Sequence, residues 1–140
     1  MQGAHGAARL ARAILAHVRE AGGCTIDPRG NGNPATGYLV ALPAADGCAA
    51  STSWDGNGAG ILPLVASWIE RIAPRVLTDP DLFVGAWIDA GKLYLDVSQW
   101  IAGATDALRA GRERDQIAIW DVTAATAILT GGTGATAHAA

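Results

Sequence analysis

Leu82–Ser98 reads LFVGAWIDAGKLYLDVS, and its alternation decides the fold. In the second half Leu93, Leu95 and Val97 alternate with Lys92, Tyr94, Asp96 and Ser98, the period of two that marks a strand with one buried face. In the first half Phe83, Gly85 and Trp87 oppose Val84, Ala86 and Ile88, so that strand is apolar on both sides and belongs inside a sheet. Asp89-Ala90-Gly91 separates them, and its glycine supplies the positive φ of a tight turn. An antiparallel hairpin of 82–88 with 92–98 follows.

Downstream, Ser98 reads as the cap of a helix from Gln99 to Arg112 that turns Trp100, Ile101, Ala104, Ala107 and Leu108 inward. Gln116–Val122 then returns to a strand. Beyond it AATAILTGGTGATAHAA is poor in large side chains, so residues 1–125 are expected to form one domain and 126–140 a disordered, low-complexity tail. Upstream, Ala7, Leu10, Ala11, Ile14, Leu15 and Val18 recur at helical spacing within residues 4–21, which Gly22-Gly23 ends. Short strands are expected at 24–26 and 36–42. A second helix spans 61–73, with Pro63 in its first turn and Pro74 at its end.

These elements predict an α+β domain, a mainly antiparallel sheet of about four strands with three helices, in the order α-β-α-β-β-α-β. Residues 43–60 form the longest stretch without periodicity and are expected to be a flexible flap. Within it Trp54 is either an anchor for the loop or an exposed contact, and the anchor is preferred.

Composition limits the partners. The chain has 140 residues, is 50% hydrophobic and carries 10 basic against 13 acidic residues, a net charge of -3 that offers no polyanion-binding surface. Nucleic acid is not expected as a partner. Every basic residue but Lys92 is arginine, which with abundant Ala and Gly matches a GC-rich coding bias. The apolar run AARLARAILAHV is interrupted by Arg9, Arg12 and His17 below membrane-spanning length, so no membrane association and a cytoplasmic location are expected. Cys24 and Cys48 leave both the bridged and the reduced state open.

No chemical motif is complete. Gly30-x-Gly32-x-x-Ala35 imitates a dinucleotide-binding pattern but contains Pro34 and opens a strand instead of a helix. Gly56–Gly60 precedes a helix without the Lys-Ser/Thr pair of a P-loop. His5, His17 and His138 share no metal-ligand spacing with each other or with the cysteines, so neither a metal nor a cofactor is expected. Asp27 and Arg29 are at most surface contacts.

An acidic set, Asp89, Asp96 and Asp121, accompanies Arg109, Arg112 and Arg114 at the end of the third helix. Catalysis would need the fold to gather them and burial to raise one carboxyl pKa; strand-end and helix-end roles are the simpler reading. The five tryptophans carry more weight. Trp68 and Trp100 fit helix faces, whereas Trp87 and Trp120 lie on strands where they can flank Tyr94. If the helices cover only one sheet face, the other is an interaction surface.

The segments GYLV, FVGAWIDAGKLYLDVS and RERDQIAIWDV resemble short proteins of unknown function in high-GC Gram-positive bacteria and their phages and mobile elements. The resemblance implies an accessory role and no reaction. The expected function is therefore non-enzymatic binding of a protein partner, or self-association, through Trp87, Tyr94, Asp96, Trp120, Asp121 and Arg112 on the sheet side, or through Trp54 in the 43–60 loop. The alternative is a small-molecule or nucleotide pocket, possibly hydrolytic, built from Asp96, Asp121 and Arg112.

Overall fold

Ala90 and Gly91 both have positive φ, 49° and 76°, as a two-residue hairpin turn of type I′ requires. They join β4 (Leu82–Asp89) to β5 (Lys92–Ile101), which pair from Asp89 opposite Lys92 to Leu82 opposite Gln99. The computed structural model describes residues 3–134. In chain order the other elements are α1 (Gly3–Ala21), β1 (Gly23–Ile26), β2 (Tyr38–Ala41), β3 (Ala49–Ser53), α2 (Leu62–Val76), α3 (Ala104–Glu113), β6 (Ala118–Asp121) and β7 (Thr126–Leu129).

The architecture is α+β, with an antiparallel sheet of seven strands in the order β1-β4-β5-β2-β6-β7 and β3 also on β5. β5 is long enough to serve two partners along one edge. Its first half pairs with β3 and its second half with β2. Between these Val97 accepts from the Leu42 N–H and donates to the Cys48 carbonyl, each at 2.8 Å. Residues 42–48, including the 3₁₀ turn Ala44–Asp46, therefore bulge out without leaving Val97 unsatisfied.

The sheet is thus larger than the four or so strands expected, and the order is α-β-β-β-α-β-β-α-β-β. β3 replaces part of the expected flap; its sequence AASTS has no apolar alternation and is held by the β5 ladder. The third helix starts later, because the period of two runs past Ser98 to Ile101, so Ser98 is a strand residue and Gly103 occupies the cap without a side-chain bond. Trp100 and Ile101 lie on a strand instead of a helix face. Pro74 lies inside α2, which runs on to Val76. β7 extends the sheet beyond residue 125, after a turn in which Asp121 accepts the Ala124 N–H and Ala125 has φ 52°. Residues 135–140 of the expected tail lie outside the described residues.

All three helices pack on one face. Leu82, Val84, Ala86, Leu93, Leu95 and Val97 meet Ala11, Ile14 and Val18 of α1 and Val65, Trp68, Ile69 and Ile72 of α2. Each fully buried aliphatic side chain here contributes roughly 1.5–3 kcal/mol. A second cluster joins Ala107 of α3 to Val40 and Ile119. Val40 pairs with Gln99, which has the orientation of Val97 two residues back, so α3 extends the same layer. Arg9, Arg12, Arg19 and Glu20 of α1 are exposed opposite its apolar stripe.

Candidate functional site

Alternation sends Phe83, Gly85 and Trp87 of β4 and Lys92, Tyr94, Asp96, Ser98 and Trp100 of β5 to the face without helices. Through the pairings of Trp100 with Leu39 and Leu39 with Trp120, the face continues to the sheet's far edge. At its centre Asp96 lies opposite Gly85. A Cβ on Gly85 would stand 2.7 Å from Asp96 Oδ1, so the missing side chain makes the space that the carboxyl fills.

Asp96 is only 6% exposed. Its Oδ1 accepts from Ser98 Oγ at 3.0 Å, and no ion pair is made to it among the described residues. Burial pushes its carboxyl up to about 6, with partial relief from the Ser98 hydroxyl. On one side Trp87 stacks on Tyr94 with ring centroids 5.3 Å apart and planes 14° apart. On the other, Phe83 lies beneath the Arg29 guanidinium, 5.2 Å from the ring centroid. The centre of the face is thus a carboxyl between aromatic walls.

The connection from β1 to β2 crosses this face at one end. Asp27 accepts the N–H groups of Arg29 and Asn31 at 2.8 and 3.0 Å and pairs with Arg29 Nη2 at 3.1 Å. Arg29 then donates to the carbonyls of Val76 and Asp79, both at 2.6 Å, and of Pro80 at 2.9 Å. It complements the end of α2 where unpaired carbonyls gather. Trp100 Nε1 donates to the Thr36 carbonyl at 2.8 Å. Between loop and sheet lies a cleft of about 320 Å³ bordered by Asn31, Pro34, Asp81, Phe83 and Trp100. Asp27 and Arg29 are therefore a largely buried clamp, and the expectation that they are surface contacts is corrected.

Of the residues singled out in the sequence, Trp87, Tyr94 and Asp96 come together. Trp120 shares their face but lies beyond β2, 43% exposed. Asp121 pairs with Tyr38 on the helix side, where it accepts a turn N–H, and Arg112 donates from Nε to the Thr130 carbonyl at 2.8 Å. Asp96, Asp121 and Arg112 are thus not assembled into one pocket. Trp54 packs against the main core and beside Gly58, where a Cβ would approach its ring to 2.7 Å, so it anchors its loop. Phe83, Ser98 and Trp100 were missed; the signal for the last two was the alternation continuing past Val97.

Cys24 and Cys48 are free thiols; burial pushes Cys24 up to about 11 and raises Cys48 as well, which leaves both poorly nucleophilic. Among the described residues no cluster of three or more His, Cys, Asp or Glu could hold a metal ion, and no helix is long and apolar enough to cross a membrane. Comparison with protein-family models, with curated proteins and with solved structures gives no match.

Proposed function

We propose that this protein is a non-enzymatic accessory protein that binds a protein partner on the helix-free face of its sheet. The observation that carries the proposal is the placement of all three helices on one side, so that among the described residues no helix covers the half-buried Trp87–Tyr94 stack, beside which Asp96 is buried. Aromatic side chains of this kind dominate interface energetics, since they desolvate a large area at little entropic cost. The accessory role follows the resemblance noted in the sequence.

A photo-reactive amino acid at exposed position 92, beside Tyr94, is expected to give a discrete adduct in the cells that make the protein. The same group at exposed position 70 on α2 is the control. The adduct should fade at least tenfold in Trp87→Ala. No adduct at 92, or equal adducts at 92 and 70, would remove the proposal.

A second reading is favoured by the cleft beside Phe83 and Trp100, whose roughly 320 Å³ is at the lower end of small-molecule sites. It calls for thermal-shift screening of a metabolite panel against wild type and Trp100→Ala. Shifts that persist in Trp100→Ala would place the ligand elsewhere.

A further inference from the structure

The geometry points to a second interaction surface, the outer edge of β7, which takes the same edge of a second copy of this chain in antiparallel pairing. The Thr130 N–H donates to the Ile117 carbonyl at 2.9 Å, in register with Ile119 opposite Ile128 and Asp121 opposite Thr126. Hydrogen-bonded and non-bonded pairs alternate along an antiparallel ladder. Thr126 and Ile128 therefore turn their backbone groups toward β6, and Ala127 and Leu129 turn theirs away. The Val122 N–H donates to Gly37, which sets β6 in the complementary phase and supports the assignment. Neither Ala127 nor Leu129 has an outward backbone partner among the described residues.

The opposite edge of the sheet is treated differently. On β1 the outward carbonyl belongs to Thr25, and Asn33 Nδ2 donates to it at 2.7 Å. Among the described residues β7 has no such cover, and its sequence Thr-Ala-Ile-Leu contains none of the charges or prolines that usually protect an edge. Among the described residues Ile117, Trp120 and Leu129 are exposed large hydrophobics at this edge, and only Leu64 lies elsewhere.

A second copy fits this edge for a reason of charge and shape. Two-fold pairing centred on Ile128 places Ala127 opposite Leu129 of the other copy, as a bonded pair that occurs twice. It brings no like charges together. Leu129, 77% exposed, gains a small neighbour over which it can lie, with Trp120 beside it. Ala127, Leu129 and Trp120 share the helix-free face, so both such faces lie on one side of the joined sheet. A standard stable interface buries about 800 Å² per partner, and this edge offers much less, so the dimer is weak and concentration-dependent.

Sedimentation velocity from micromolar to millimolar protein is expected to show the mass rising from 14.3 kDa toward twice that value. Leu129→Lys and Ala127→Pro should each weaken association at least tenfold while leaving far-UV circular dichroism unchanged, because neither removes a bond to β6. Ser51→Pro, on the outward side of β3, should associate as wild type does. Exchange of the Ala127 and Leu129 amides should slow only at high concentration. A monomer throughout, association unchanged in both β7 variants, or association lost only in Ser51→Pro would overturn the inference.

Discussion

The two faces of the sheet are built from the same strands, residue against residue, yet they solve opposite problems. Toward the helices β4 and β5 present Leu82, Val84, Ala86, Leu93, Leu95 and Val97, all closed over by α1 and α2. Away from them the same strands present Phe83, Gly85, Trp87, Tyr94, Asp96 and Ser98, closed only in part by the loop that Asp27 and Arg29 clamp. The first face is stabilised by area. The second holds a carboxyl that the fold places at a disadvantage, since burial disfavours its charge and no cation pairs with it among the described residues. That cost sits at the centre of the helix-free face, beside the Trp87–Tyr94 stack.

The largest expected effect breaks the helix side. Trp68 is 1% exposed and fills the space between α2 and the sheet, and its Nε1 donates to the Gly47 carbonyl at 3.3 Å. Trp68→Ala should destabilise by about 3–5 kcal/mol, through the cavity and the lost bond together. Denaturant titration of both proteins checks it. A loss no larger than that of Trp87→Ala, on the other face, would end the claim that stability resides on the helix side.

The next effect has the opposite sign. Folded Asp96 titrates near 6 and the unfolded residue near 3.8, so below the unfolded value both states are protonated and burial of the charge has no effect. As pH rises from about 4 to about 6 the unfolded chain ionises first, and wild-type stability falls by about 3 kcal/mol at the most. Asp96→Asn keeps an acceptor for Ser98 and removes the ionisation. It should be more stable than wild type by about 2–3 kcal/mol at pH 7 and equal to it below pH 4. Stability curves at several pH values decide this; a variant weaker at pH 7 would mean that a partner for the carboxylate exists in the folded protein.

The hairpin and the apolar stripes of α1 and α2 were legible in the sequence, because period and turn chemistry are local properties. Trp68 fell on its core face for the same reason. β3 was not legible: Ala49–Ser53 has no pattern of its own and becomes a strand because Val97 and its neighbours offer a free edge. The start of α3 was misplaced because Ser98-Gln99 satisfies a capping pattern that the ladder to β2 overrides. At the site, Asp96 was legible as a polar residue in an alternating strand, but the space it fills is left by Gly85 across the hairpin, which no local pattern shows. Arg29 finds its carbonyl partners at Val76, Asp79 and Pro80, 47 to 51 residues on, where no local pattern reaches.

The smallest effect concerns why the carboxyl is buried at all. Gly85 leaves the space that Asp96 occupies, and a methyl there would come within 2.7 Å of Oδ1 and 3.4 Å of Cγ. In Gly85→Ala the carboxyl must swing toward solvent. Overpacking and lost contacts cost about 1–2 kcal/mol at any pH. At pH 7 the move also relieves part of the ionisation penalty, so the two changes offset each other and net stability stays within about 1 kcal/mol of wild type. At pH 4 the carboxyl is protonated in the folded state, nothing is relieved, and the full cost appears. Gly85→Ala should therefore flatten the wild-type loss of stability between pH 4 and pH 6, with Asp96 titrating closer to an exposed carboxyl in its ¹³C chemical shift. A variant destabilised equally at both pH values, with Asp96 still near 6, would show that the aromatic walls bury the carboxyl and that the glycine does not.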